Sequence, residues 1–474
     1  MTILPLHPAD NASPEALQAF LAQCQAAARR DGRAKLVSIS LAVGALDPLA
    51  VLESIFEPTQ PHFYAERPSL QTAIAGAEVA VGFEAEGPER FAAVQRWVRE
   101  TLAHTIAVGD VAAPFGGPHF FAAFAFRDRA EAGEPFPAAS IFVPRWQVSL
   151  AGETTTAVAN LLVTPEADLG ALALRVWRAH AKFHGFGYAE AAAGEGAGPA
   201  AAPRFERREA GDYRGAVAQA LERIAAGEFK KIVLARAQDM AADRPLHPLR
   251  VLNGLRQRFP DCYAFSCARG AGQSFIGASP ERLVRVSQGR VETEALAGSI
   301  RRGAGASEDA ALAAALLRSE KDRREHREVL DDIVARLTPL GLAPECAETP
   351  QVRRLANVQH LHTAVQATLP EGTGLLDVLA ALHPTPAVGG SPRDAAVARI
   401  RELEGFPRGL YAGALGWLNA RGGGEFFVGI RSALVEGARA RVYAGAGIVA
   451  GSTPEKEFAE TELKFMAMLD AFAG

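Results

Sequence analysis

Cysteine is scarce in this chain, with four in 474 residues: Cys24, Cys262, Cys267 and Cys346. Only Cys262 and Cys267 are near each other, and their spacing fits neither a CxxC redox pair nor a zinc knuckle. They read as buried, reduced thiols of a cytosolic protein. Basic excess is also missing. Lys and Arg number 50 against 54 Asp and Glu, a formal net charge of -4. That excludes the basic footprint of a nucleic-acid binder, and a small acidic substrate would have to meet cations placed locally. No stretch reaches the roughly 18 apolar residues of a membrane span. The opening MTILPLHPADNASPEAL lacks the basic region and apolar run of a signal peptide. A cytoplasmic protein with no membrane contact is expected. No internal repeat of solenoid period is found.

What remains is ordinary globular composition, 49% hydrophobic and 22% charged, in a chain long enough for two or three domain-sized units. The segment Ala189–Pro203, AEAAAGEGAGPAAAP, has no apolar face and reads as a connector or long surface loop. It divides an N-terminal half, residues 1–203 with the connector, from a C-terminal half, residues 204–474. In the first half Pro14–Arg30 has helical period with Ser13 as its N-cap. Ala34–Leu41, Ile141–Pro144 and the run after Gly116 to Phe126 read as strands. In the second half, helical periods over Tyr213–Ala226, Glu308–Thr338 (one long helix or two abutting) and Glu455–Ala471 separate groups of short strands. Those strands are Lys231–Ala235, Phe275–Ile276, Arg282–Val286, Arg290–Glu294, Gly413–Leu418, Glu425–Val435 and Arg439–Ala446. Strands in runs with helices between and after them predict an α+β fold.

Two of the helices carry carboxylate pairs. Asp322 and Glu325, in SEKDRREHREVLDDI, stand three apart and share a helical face, and Glu457 and Glu460 repeat the arrangement. Two such helices can hold a hard divalent cation between them. Magnesium suits this, since it takes oxygen ligands and few protein carboxylates. Alone, either pair reads more readily as a solvated face, with Lys321, Arg323 and Arg324 neutralising the first. The second pair, however, opens its helix just after AGAGIV, Ala444–Val449, where free backbone N–H groups favour anions.

Other residues stand out singly. Lys231 begins the apolar strand KIVLA, where desolvation favours its neutral form and makes it a candidate general base; taken alone, Lys230 and Lys231 read as the flank of a strand. Glu294 ends VETE and leads into ALAGS, a candidate general acid if buried enough to stay protonated. His383 lies in LHPTPAVGG, a shaped loop, and His360 in VQHLHT at a strand edge. Arg431 alternates with apolar neighbours in VGIRSALV. Facing inward it needs an anion such as a carboxylate; facing outward it is solvated, and both orientations fit.

In order along the chain, KIVLAR, SPERLV, ETEALAGS, SEKDRREH, VQHL, LHPTPAVGG, LYAGALGW, GIRSALV, AGAGIV and PEKEFAET resemble the chorismate-utilising enzymes. These comprise isochorismate and salicylate synthases and the first components of anthranilate and aminodeoxychorismate synthases. FYAER, FGGPHFFAAFAF and FVPRW are similar to the N-terminal half of the isochorismate synthase branch. The resemblance implies an anthranilate synthase component I-like fold of two large antiparallel sheets flanked by helices. It implies Mg²⁺ bound by Glu325 and Glu460, with Glu457 and Asp322 holding metal waters. Arg431, Tyr411 and the backbone of Gly445, Ala446 and Gly447 would grip the enolpyruvyl carboxylate. Lys231 would activate water and Glu294 would protonate the departing C4 hydroxyl. His360, His383, Gly298, Thr385 and Ala387 would line the pocket. Lysine at position 231 implies water rather than ammonia as nucleophile, so no glutaminase subunit is expected, and a monomer or homodimer suffices. Ala387, where salicylate synthases resemble HPTVTAS with a threonine, points to the isochorismate branch, feeding menaquinone or a catechol siderophore. Ala295 and Ser299 depart from the proline and threonine of many relatives. Salicylate synthase and the aminating enzymes are the alternatives.

Overall fold

The computed structural model describes residues 1–4, 13–184, 203–355 and 358–473. The connector, except for Pro203, lies outside the described residues. Local chemistry sets the first helix, Pro14–Asp31. The Ser13 hydroxyl accepts from the Ala16 N–H at 3.2 Å, and Gly32 closes the helix, satisfying backbone groups that the helix ends leave open. Among the described residues no helix is long and apolar enough to cross a membrane.

The sheet is antiparallel except where Thr2–Leu4 and Lys35–Val43 pair with Thr105–Gly109. Its junction is the strand Ala139–Ala151. One edge pairs with Thr72–Ala85; on the other edge the first residues pair with His119–Phe124 and the last with Thr154–Val163. Two large sheets diverge from it. One runs through Pro61–Arg67, Tyr263–Arg269, Gln273–Ser279, Ser432–Glu436 and Arg439–Val449 to Lys231–Ala242. The other runs through Ala414–Asn419, Gly424–Val428, Arg282–Ser287 and Arg290–Arg301 to Val358–Thr368. Strands from before and after the connector therefore join edge to edge, Pro61–Arg67 with Tyr263–Arg269 and His119–Phe124 with Ala414–Asn419.

Aromatic side chains fill the space between the sheets. Phe63 of the first stacks on Phe121 of the second at 4.7 Å, and Tyr263 on Phe427 at 4.8 Å. These four rings are buried to 1% exposure or less, each contributing about 1.5–3 kcal/mol of transfer free energy.

One element decides between the alternatives of its sequence expectation, and two differ from theirs. The helical stretch from Glu308 is two helices, Ala306–Arg318 and Glu320–Leu337, parted at Ser319, whose extended backbone (ψ 111°) begins the second. The strand expected over Glu425–Val435 breaks into Gly424–Val428 and Ser432–Glu436, and Arg431 sits in the break at φ +51°. The closing helix, Pro454–Ala473, buries Thr461, Phe465, Met468 and Phe472, leaving Leu463 and Met466 exposed. Of the apolar residues that fall on its period, Phe458, Leu463, Phe465, Met466 and Leu469, the structure buries Phe465 and Leu469 and packs Phe458 partly buried against the core.

Candidate active site

A cavity opens where the ends of the two sheets approach. Lys231 comes from the first strand of one sheet wall and Gly445, Ala446 and Gly447 from the strand paired with it. Gly298 and His360 face them from the other sheet. Glu325 and Glu460 enter from their helices, Ala387 and Val388 from the loop after Leu382, and Tyr411 and Arg431 from the turns around the last sheet strands. The structure thus gathers ten of the residues singled out in the sequence into one hollow: Lys231, Arg431, Tyr411, His360, Ala387, Gly298, Gly445, Ala446, Gly447 and Glu325. Glu460 is the eleventh.

Lys231 is 3% exposed and donates to Glu325 Oε1 at 2.8 Å. Its stem lies against the Gly447 backbone. A Cβ at position 447 would stand 2.9 Å from Lys231 Cε. Gly447→Ala is therefore expected to displace the amine and lower kcat by about 10²-fold, the cost of a misplacement near 1 Å; steady-state kinetics check it, and an unchanged kcat sinks the assignment of Gly447 to positioning Lys231. Gly298, at φ +75°, has a similar role, since a Cβ there would meet Asp322 Cβ at 3.1 Å.

Charge in the cavity is uneven. Burial works against the charged form of Arg431, with Cys262, Tyr411 and Glu460 opposing it. Among the described residues no carboxylate lies within ion-pair distance of this guanidinium, so an anionic guest is what it lacks. Lys464, which the sequence reading passed over, also lines the cavity and donates to Glu460 Oε1 and to the Gly445 carbonyl, both at 2.7 Å. Lys464, with Arg431 and Lys321 behind it, holds the Glu460 carboxyl below its usual range against the effect of burial. His360 donates to or accepts from Ser299 Oγ at 2.8 Å. Burial, then Arg431 and Lys464, push it down to about 3, so it is a neutral ring. Arg408 underlies the wall, donating to Val233 O and Val388 O and pairing with buried Glu404.

Five expected site residues lie outside the lining. Glu294 does not act as expected of a general acid. Arg353 Nη1 reaches both its oxygens, at 2.9 and 3.0 Å, and His362 Nε2 reaches one at 3.0 Å. Burial favours its neutral form, but His362, Arg353 and Arg282 outweigh burial and hold the carboxyl at about 2. A group ionised at neutral pH has no proton to give. The carboxyl that does reach the cavity is Glu281, 8% exposed. Burial and then the nearby Glu294 push it up to about 7, with Lys231 opposing. Glu281 stands in SPERLV, a motif visible in the sequence to which no role had been attached.

Asp322 stands in the first turn of its helix, which Ser319 caps. Its carboxylate bonds the Ser319 hydroxyl and its N–H donates to that oxygen at 3.3 Å, which occupies it away from the cavity. Glu457 is buried one turn before Glu460; burial raises its pKa, as does Glu460, while Ser452 lowers it. His383 is packed against Phe91 and Phe126, at ring distances of 6.3 and 6.4 Å. It is pushed down to about 3 by burial, Arg90 and Arg393. Thr385 shapes the loop, its carbonyl accepting from Val388 and Gly389 N–H at 3.1 and 2.9 Å; that turn is what presents Ala387 and Val388.

Among the described residues no three His, Cys, Asp or Glu side chains gather as a metal-binding group. Glu325 and Glu460 bring two carboxylates from separate helices to the same cavity. One or two carboxylates, completed by water and substrate oxygens, is what Mg²⁺ takes, and the pair fits it.

The model of the family described as chorismate binding enzyme matches residues 19–473. The chain is 38% identical over 452 residues to the salicylate biosynthesis isochorismate synthase of Pseudomonas aeruginosa, covering 93% of this chain and 91% of that protein. It is 32% identical over 463 residues to the isochorismate synthase MenF of Bacillus subtilis, covering 94% and 95%. Among solved structures, the menaquinone-specific isochorismate synthase MenF of Escherichia coli superposes with a TM-score of 0.77 at 27% identity, over 95% of this chain and 99% of that one.

Proposed function

Because the chain belongs to the chorismate binding enzymes, we propose that it is an isochorismate synthase, an isomerase that adds water at C2 of chorismate and expels the C4 hydroxyl. The observation that carries this reading is the pairing of a buried lysine with a buried carboxyl that holds its proton near neutrality, in one cavity. Lys231 takes a proton from water as the oxygen bonds C2. The ring double bonds shift, and the C4 oxygen leaves as water with a proton from Glu281. One water enters and one departs, so the step is an isomerisation, and exchanging the two roles runs it backwards. The hydrogen bond from Lys231 to Glu325 fixes where the amine stands in the cavity.

Chorismate brings two carboxylates. Arg431, which has no carboxylate partner among the described residues, is placed to receive one of them, with Lys464, Tyr411 and the Gly445–Gly447 backbone beside it. Glu325 and Glu460 would hold Mg²⁺, with Glu457 behind Glu460; bound there, the ion would neutralise the other carboxylate. Glu460→Gln is expected to remove both turnover and Mg²⁺ dependence. A magnesium titration of rate checks it, and activity still stimulated by Mg²⁺ contradicts the ligand assignment.

The lysine at position 231 favours water over ammonia, and neither ammonia nor a glutaminase subunit is required. Incubation with chorismate and Mg²⁺ alone, followed by chromatography, tests the function. Isochorismate in equilibrium with chorismate is expected. Salicylate with pyruvate as main products would make the enzyme a salicylate synthase, and dependence on ammonia would make it an aminating one.

A further inference from the structure

Glu294 lies outside the cavity, yet it is among the most heavily bonded carboxylates of the protein. Besides Arg353 and His362 it accepts from the backbone N–H of Arg282, at 3.1 Å. Arg282 directly follows Glu281. The rest of the Glu281 main chain is held as well: its N–H donates to Ser279 Oγ at 3.3 Å, and its carbonyl accepts from Val428 N–H at 3.1 Å. Glu294 is the charged member of this clamp. A carboxylate that takes four hydrogen bonds stays ionised and fixed in place.

We propose that Glu294 is a positioning residue for Glu281: anchored by Arg353 and His362, it grips the peptide after Glu281 and sets a permanent negative charge beside it. The proposal rests on Glu281 being the proton donor described above. The titratable and charged groups that line the cavity with Glu281 are Lys231, Glu325, His360, Arg408, Tyr411, Arg431, Glu460 and Lys464; of these Lys231 works against the proton. Glu294 is the carboxylate that works for it. Its anchors lie on the strands Gln351–Arg354 and Val358–Thr368, so Glu294 ties the outer strand Gln351–Arg354 to the main chain at Glu281.

The pH dependence of kcat/KM in Glu294→Gln and Glu294→Asp tests this. Glutamine keeps an acceptor for Arg282 and loses the charge. The alkaline limb should move down by about one unit, giving about tenfold lower activity above the limb and near wild-type activity below it. Aspartate keeps the charge on a shorter stem, so the limb should stay while kcat falls at every pH. Equal losses in both variants with an unmoved limb would overturn the proposal, since packing alone predicts that. If Glu294→Gln does not fold, Arg353→Gln replaces it: with less compensation of Glu294 the limb should move up, and an unmoved limb overturns the proposal. Glu281→Gln separates the layers. If it keeps wild-type turnover, the proton-donor reading has failed; if it is inactive and the Glu294→Gln limb is unmoved, only this proposal has.

Discussion

Lys231→Ala is expected to fold normally and to lose about 10²–10⁴-fold in kcat on chorismate, the usual contribution of a positioned general base. The side chain is buried against the Gly447 backbone and bonded to Glu325. Its partner Glu325 is 29% exposed at the side chain and can be solvated once the amine is gone, which keeps the effect on stability small. Arg431 and Lys464 remain, so KM should change little. Rate measurement beside circular dichroism separates the two effects. A folded variant within about threefold of wild type would remove Lys231 from the chemistry, and a loss of fold would show the amine to be structural instead.

Glu281→Gln is expected to cost a similar factor in rate and also to change stability in a pH-dependent way. The folded-state value of about 7 stands above the ordinary glutamate value of 4.5. The stability linked to this carboxyl is therefore intact below about pH 4.5 and is lost as pH rises through about 7. Above that, the fold carries a buried anion at a cost on the order of 3 kcal/mol. Glutamine cannot ionise and escapes that cost. The variant should thus gain melting temperature relative to wild type as pH rises from about 5 to about 8. Scanning calorimetry at both values checks it; a difference between the proteins that does not change with pH would mean that Glu281 is not held protonated. In wild type, kcat/KM should fall on the alkaline side as the proton is lost.

The division of labour among the carboxylates shows what a sequence can carry. Spacing put Asp322 with Glu325 and Glu457 with Glu460, and helices do present them in pairs. Which member of each pair faces a cavity depends on tertiary packing. Asp322 was already committed to Ser319, three residues away, through the helix break that the periodicity left open. Glu294 and Glu281 are the sharper case. Both are glutamates in quoted motifs, Glu281 between the strands Gln273–Ser279 and Arg282–Ser287 and Glu294 inside Arg290–Arg301. What separates them is Arg353 and His362, some sixty residues further on and brought to Glu294 by antiparallel register. No local pattern announces that pairing, so the ionised carboxylate was taken for the acid. His383 and Thr385 sit in a loop correctly read as shaped, but shape alone did not tell which side chains turn inward. The α+β architecture and its two sheets were legible from strand runs and from resemblance. The junction strand Ala139–Ala151 was not, since a short apolar run at Ile141–Pro144 gives no hint of thirteen residues that serve three partners.

Conversion of chorismate in ¹⁸O-labelled water tests the central claim most directly. Addition of water at C2 with loss of the C4 hydroxyl predicts isochorismate carrying one ¹⁸O, detected by mass spectrometry as a shift of about two mass units, and chorismate labelled in turn as the reaction reverses. Unlabelled isochorismate would mean that the hydroxyl migrates without solvent, and would contradict the roles given to Lys231 and Glu281.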